Sequence, residues 1–260
     1  MPNTRLVFDG KGSLDAMTIH KLELKSTTGI FNTVGQIGWK DKTTFDIQAT
    51  AENFNPAIIM PDMAGNLSLD SHFKGQFADE LQLDIAINKL TGQLRGYPVS
   101  ADGKLLLVGE QLTVNSLNLN SGRNKIAVNG TLGQEQAKLN LSIDTPTLNT
   151  LWPTLGGSFK AQGSLQGKWQ NPAVKLQANG QGLKFAEHSV EQLNINIDYD
   201  PASNKTSQLH ILANRLKTGT TQIAKLLIEG QGSLAQHSVK ADMVSQYGDV
   251  SIPKTQVYGS

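Results

Sequence analysis

The chain repeats itself, and the period of that repeat limits what it can fold into. Pro61-Asp62-Met63-Ala64-Gly65 is answered 92 residues later by Pro153-Thr154-Leu155-Gly156-Gly157, and the offset holds as far as Gly75 against Gly167. Ile47, Ala49 and Ala51 followed by Glu52 match Leu139, Leu141 and Ile143 followed by Asp144 at the same distance. Two more matches drift slightly. Asp9-Gly10-Lys11 meets Asp102-Gly103-Lys104 at an offset of 93, and Met17/Ile19 then Leu22/Leu24 meets Leu112/Val114 then Leu117/Leu119 at 95. A third copy opens at Val190-Glu191-Gln192-Leu193-Asn194-Ile195, a run similar to Ile19–Leu24. A period of this length implies units that stack on their neighbours rather than one closed globule. The expected division is a first β repeat over 1–94, a second over 95–186 and a truncated third over 187–260. These form one continuous sheet rather than separate globules. A chain that ends inside its third copy reads as a fragment of a longer protein.

Inside each repeat the apolar residues fall on every second position. Six segments of the middle copy show it: Val99–Val108, Gln111–Asn120, Lys125–Gly133, Ala137–Asp144, Ser158–Gly167 and Ala173–Gly180. Leu139, Leu141 and Ile143 alternate with Lys138, Asn140 and Ser142. Period two is the mark of a strand with one apolar and one polar face. The links are short and rich in Gly, Asn, Ser and Pro, which join antiparallel neighbours, since a parallel crossover takes a dozen residues or more. The phase slips from i+2 to i+3 between Ile19 and Leu22 and again between Val114 and Leu117, predicting a β-bulge or corner at each place. Strands are expected at 30–39 and 43–51 as a hairpin, then at 67–73, 81–87 and 90–94. The third copy should supply 192–199, 208–214, 222–229 and 238–245. Residues 4–15 read as a strand end, a turn at Asp9-Gly10 and a second strand. Irregular links fall at 53–65 and 145–157, each with room for a short helical turn. Nothing has the length and period of a sizeable amphipathic helix, so the class is all-β.

Residue by residue, the sequence offers little of the chemistry that makes an enzyme. The sequence has no cysteine, which removes disulfides, thiolate catalysis and Cys-based zinc sites. Its five histidines, at 20, 72, 188, 210 and 237, lie outside metal-ligand spacing of one another and read as solvated positions. No Ser stands in a Gly-x-Ser-x-Gly elbow. Gly180-Gln181-Gly182 and Gly230-Gln231-Gly232 are partial phosphate-loop matches with no helix following, so they read as turns between strands. Asp198/Asp200 and Asp9/Asp15 are the nearest approach to an acid pair, and no second constellation supports either. The reading is that the chain is not an enzyme, binds no metal and carries no cofactor. A formal net charge of +1 gives no basic face for nucleic acid. No run of the sequence is long and apolar enough for a membrane span.

The stretch from Leu90 to Gly182 resembles the repeat of the TamB family. The residues that carry the likeness begin with Leu90-Thr91-Gly92-Gln93-Leu94-Arg95-Gly96-Tyr97-Pro98-Val99. They continue through Leu117-Asn118-Leu119-Asn120-Ser121-Gly122-Arg123-Asn124 and Val128-Asn129-Gly130-Thr131-Leu132-Gly133. Ile143-Asp144-Thr145-Pro146, Leu165-Gln166-Gly167 and Asn171-Pro172 complete the series. The similarity is to the repetitive middle or later part of such proteins. It implies an elongated, mostly antiparallel sheet curled into an open groove, a β-taco with an apolar interior, standing in the periplasm. It further implies the AsmA-like group of bridge proteins, anchored in the inner membrane of a Gram-negative bacterium. Such proteins pass phospholipids towards the outer membrane and meet the outer-membrane partner TamA through a region outside this chain.

On that reading the partners are phospholipid acyl chains. The groove would be lined by Leu112, Val114, Leu117, Leu119, Ile126, Val128, Leu132, Leu139, Leu141, Ile143, Phe159, Leu165, Val174, Leu176, Leu193, Ile195 and Ile197. At about 0.8 kcal/mol per CH₂, two acyl chains of roughly 16 carbons cost on the order of 25 kcal/mol to bring into water. A continuous apolar gutter lowers that cost without any specific polar site. Two other readings stay open: a scaffold that helps outer-membrane β-barrel proteins assemble by pairing with their strands, and a closed β-solenoid adhesin with a dry core.

Overall fold

A computed structural model describes residues 4–201, 205–233 and 235–258 of the chain. Seventeen strands account for nearly all of them. In order they are β1 (Arg5–Gly12), β2 (Ala16–Lys25), β3 (Ile30–Gly38), β4 (Thr43–Phe54), β5 (Gly65–Phe77), β6 (Leu81–Leu94), β7 (Tyr97–Val108), β8 (Gln111–Ser121) and β9 (Asn124–Leu132). The rest are β10 (Ala137–Thr145), β11 (Leu155–Gly167), β12 (Ala173–Phe185), β13 (His188–Tyr199), β14 (Ser207–Thr218), β15 (Thr221–Gly232), β16 (Gln236–Ser245) and β17 (Gly248–Tyr258). Among the described residues, helix is confined to two 3-10 turns, Pro56–Ile58 and Leu148–Thr150. They lie in the two irregular links and are themselves 92 residues apart. The class is all-β.

The chain divides into two units, Met1–Gly122 with Ala127–Thr131, and Arg123–Ile126 with Leu132–Ser260. In the first, β1 to β8 pair strictly with their sequence neighbours, every pair antiparallel. In the second, β10 to β17 do the same. Each is an open meander, with no register among the described residues closing it into a barrel. These units are bounded by packing and the repeats by sequence period, so their boundaries need not coincide.

Both slips of phase are bulges. The β2–β3 register jumps between Ile19 and Leu22, and the β7–β8 register jumps opposite Val114 and Leu117. Four expectations need correction. Residues 81–94 form one strand, because the slip at Asn88-Lys89 is a third bulge rather than a break. Asp9-Gly10 is likewise a register shift inside β1, and the turn comes later, where the Ser13 hydroxyl accepts from the amides of Asp15 and Ala16. Gly180-Gln181-Gly182 lies within β12 and Gly230-Gln231-Gly232 ends β15, so neither is a turn. In the first, Gly182 takes φ +57° at a bulge, and a side chain on Gly180 would strike that of Leu183. These glycines relieve crowding inside a strand. Finally, 248–258 forms a strand that the sequence reading left unassigned.

Most fully buried positions are small: Ala49, Ala137, Ala161, Ala178, Ala213 and Ser71 among them. Large apolar side chains are mostly half-buried. The chain exposes 16013 Å². A closed protein of its mass would expose about 11,100 Å², and two separate globules of half that mass about 13,400 Å². Each meander therefore leaves much of its surface, apolar side included, in reach of solvent.

Candidate functional site: an open apolar face

Strand registers turn the alternation into continuous apolar rows. In the first unit one row runs Leu24, Phe31, Ala51, Leu69, Leu90, Ala101, Leu119 from β2 to β8. A second runs Ile19, Gly35, Ile47, Phe73, Ile85, Leu105, Val114, and a third Met17, Ile37, Phe45, Gly75, Leu83, Leu107, Leu112. Between the first two lies a row with small members, Leu22, Thr33, Ala49, Ser71, Ile87, Gly103, Leu117. Its hydroxyls do not interrupt the face, because Ser71 Oγ donates to the Ala49 carbonyl at 3.2 Å and so is satisfied by the neighbouring strand.

The second unit is built the same way. Its rows are Leu141, Gly163, Leu176, Ile197, Leu209, Gly230, Val239, then Ile143, Ala161, Ala178, Ile195, Ile211, Ile228, Ala241, Ile252, then Thr145, Phe159, Gly180, Leu193, Ala213, Leu226, Met243, Val250. Thr145 repeats the device of Ser71, donating to the Phe159 carbonyl at 2.7 Å. Past a line where the pairing lapses without a change of register, at Gly182, Glu191, Arg215 and Ala224, a further row of Leu183, Val190, Leu216 and Ile223 follows.

The residues picked out from the sequence fall on these rows. Leu112, Val114, Leu117 and Leu119 share the face of the first unit. Leu139, Leu141, Ile143, Phe159, Leu165, Val174, Leu176, Leu193, Ile195 and Ile197 share that of the second. Ile126, Val128 and Leu132 take positions of one parity on β9 and are half-buried. Of all seventeen only Val114 is fully buried, at 5% exposure. The sequence selection missed the equivalent members of the outer copies, such as Phe31, Phe45, Phe73, Ile211, Ile228 and Met243. The same period-two signal marks them, and the slips of phase hid their registration.

A cleft of about 460 Å³ opens on this face in the second unit, with Val174, Ile197, Tyr199, Leu209 and Val239 in its wall. Its lining is mostly carbon, and no ionisable side chain other than His237 and Tyr199 contributes.

The opposite face is ionic and wet. Cross-strand pairs Asp144–Lys160 and Lys175–Asp198 stand at 3.5 Å, each between directly opposed residues. His72 Nε2 lies 2.6 Å from Asp46, and Lys74 flanks it at 3.7 Å. The His72 hydrogen bond holds the Asp46 carboxyl below its usual range. Lys240, then Ser251, does the same for Asp242, and Lys21 for Glu23. The imagined acid pairs dissolve into these contacts: Asp9 faces His20, Asp15 faces Lys40, and Asp200 holds Lys205. Among the described residues no three His, Asp or Glu side chains gather where they could hold a metal ion.

The family model described as "TamB, N-terminal domain" matches residues 1–253. This is earlier than the middle or later repeats to which the sequence reading assigned the likeness. The translocation and assembly module subunit TamB of Haemophilus influenzae is 27% identical over 248 residues, which cover 89% of this chain and 19% of that protein. The chain thus spans about a fifth of that relative's length. No solved structure matches. With an open antiparallel meander in each unit and a family match over almost its whole length, the chain belongs to the TamB family.

Proposed function

We propose that the chain is a periplasmic segment of a bridge that conducts phospholipids between the inner and outer membranes, its apolar rows serving as the track. One observation carries this reading: the rows are unbroken across seven or eight strands in each unit, yet their large side chains stay half-exposed. A face that served only as a dry core would be covered. A face that receives acyl chains has to be apolar along its length and open in the free protein. Each methylene settling on it recovers about 0.8 kcal/mol of hydration cost, and one row is equivalent to the next, so no position becomes a trap. The segment performs no chemistry in this scheme. Direction and driving force come from elsewhere in the assembly.

Leu141→Asp tests it. Leu141 faces inward opposite Gly163 and is half-buried. In an open groove the carboxylate reaches water, so the β circular dichroism should persist while phospholipid co-purifying with the chain, read by mass spectrometry, falls several-fold. Gln177→Glu, on the polar face opposite Asn196, should change neither. If Leu141→Asp instead unfolds the chain, as a buried unpaired charge costing several kcal/mol would, the face is a core and the reading fails.

A further inference from the structure

Glycines interrupt the apolar rows, and at most of them a neighbouring side chain fills the gap. A Cβ on Gly75 would strike the Phe45 ring at 2.6 Å. On Gly103, Gly163 and Gly180 it would stand 3.0, 3.1 and 2.5 Å from the side chains of Leu117, Leu176 and Leu183. Gly230 is different. A Cβ there would meet Leu209 at 3.4 and 3.8 Å and the Ser238 carbonyl at 3.8 Å, which are ordinary contacts. Its φ lies outside the left-handed region. Neither crowding nor backbone conformation calls for glycine at this position, so the gap it leaves is open.

That gap belongs to the cleft of about 460 Å³ on the apolar face, a volume usual for a small-molecule site. Registers run through this stretch without a shift. Ile197, Leu209, Gly230 and Val239 stand opposite one another, and Ser207, Gly232 and His237 form the next row towards the strand ends. Alternation from Val239 places His237 on the apolar face, beside the bare backbone of Gly232. The other polar groups at this margin are occupied. The Tyr199 hydroxyl donates to Asn171 at 2.9 Å, and the Ser207 hydroxyl accepts from the Asp200 amide at 3.1 Å. His237 makes no hydrogen bond or ion pair among the described residues. On the link from β13 to β14, Lys205 holds Asp200 at 3.0 Å, so that cation is already matched.

We propose that this cleft seats one acyl chain of a phospholipid, with its ester carbonyl at His237 and its head group left in solvent at the margin. The inference rests on the lipid-conduit reading and adds to it a seat that reads the chain and ignores the head. Elsewhere on the rows a chain lies on side-chain tips, whereas here it sinks between Leu209 and Val239 onto the backbone of Gly230. An imidazole is a neutral donor on one ring nitrogen, and an ester carbonyl is a neutral acceptor joined directly to hydrocarbon. With no unmatched cation beside the cleft, nothing there favours an anionic head over a zwitterionic one. Covering about two further methylenes is worth roughly tenfold in affinity, which pauses a lipid without trapping it.

Equilibrium binding of three probes to the 260-residue chain, with Tm measured alongside, tests the proposal. The probes are dihexanoylphosphatidylcholine and dihexanoylphosphatidylglycerol, each below its micelle concentration, and hexanoate. The two lipids should bind within about threefold of each other. Gly230→Val fills the gap and should weaken both about tenfold. Its Tm should hold or rise, because a β-branched residue replaces glycine inside a strand. His237→Leu keeps the bulk, removes the donor and should weaken both lipids about three- to tenfold. Undiminished lipid affinity in either variant, or a lowered Tm in Gly230→Val that marks the glycine as structural, overturns the seat while the conduit stands. Phosphatidylglycerol bound tenfold tighter than phosphatidylcholine overturns it in favour of an anion site, and hexanoate bound as tightly as the lipids overturns it in favour of free fatty acid. Wild-type chain that binds neither lipid overturns the seat and the conduit together.

Discussion

Two kinds of residue hold the apolar faces in place, and neither is itself a large apolar side chain. Asn124 is fully buried, donating from its amide to the Thr147 carbonyl at 2.9 Å and to the Thr150 hydroxyl, and accepting from the Thr147 amide at 3.1 Å. It pins the link that carries the second 3-10 turn. In the first repeat Asn55 has this task, accepting from the amides of Ala57 and Gly65. Asn124→Ala would leave the Thr147 amide without its acceptor and empty a buried site beside the Thr150 hydroxyl, and should cost about 1–3 kcal/mol in denaturant unfolding. Gly157 follows the same link at φ +87°, and a Cβ there would stand 2.3 Å from the Gln181 carbonyl oxygen. Gly157→Ala should destabilise by about 1–3 kcal/mol, through backbone strain added to that clash. An Asn124→Ala or Gly157→Ala chain as stable as the parent would show that the link is not held as described. The glycine was visible in the sequence as the partner of Gly65 at the 92-residue offset. The role of Asn124 was not, because its partner lies 23 residues away and no periodicity marks a side chain that reaches out of its own strand.

Among the elements, what the sequence made legible was alternation, and what it concealed was length. The segment 137–144 falls one residue short of β10, while 158–167 leaves out Leu155, Gly156 and Gly157, which open β11. In the sequence Asn88-Lys89 and Gly180–Gly182 look like ends of strands, since a bulge and a break look alike when only the apolar phase is followed. The register of the neighbouring strand tells them apart, and that is a long-range property. The polar face has its own consequence for pH. Asp46, Asp242 and Glu23 all have lowered pKa values, caused first by His72, Lys240 and Lys21 respectively. A carboxyl depressed in the folded state contributes stability that is present above its unfolded pKa, near 4, and lost as pH falls through the folded value. Unfolding midpoints should therefore be flat from pH 7 to about 5 and fall only below about 4. Because these pairs are exposed, the loss should be small and should shrink further in high salt. A steep loss of stability between pH 7 and 5 would contradict this account.

At the scale of the whole molecule, the 16013 Å² of surface is the quantity to explain. Folding normally removes most apolar surface from water, yet here rows of Leu, Ile, Val and Phe stay half-exposed along both units. Such a chain folds because each strand buries its neighbours' flanks and satisfies its own backbone through the ladder, leaving the tops of the side chains uncovered. The deficit is then available to a ligand. An amphiphile that binds the folded face and not the unfolded chain, at a hundredfold excess over its dissociation constant, should add about 2.7 kcal/mol of stability. For a chain of this size that corresponds to a rise of roughly 5–10 °C in Tm. The expected result is a Tm that climbs with the concentration of a short-chain phospholipid held below micelle formation, and climbs less in Leu141→Asp. A protein whose apolar rows were a finished core would have nothing left for the lipid to cover. Its Tm would stay constant, and the open face would have to be abandoned as the working surface of the molecule.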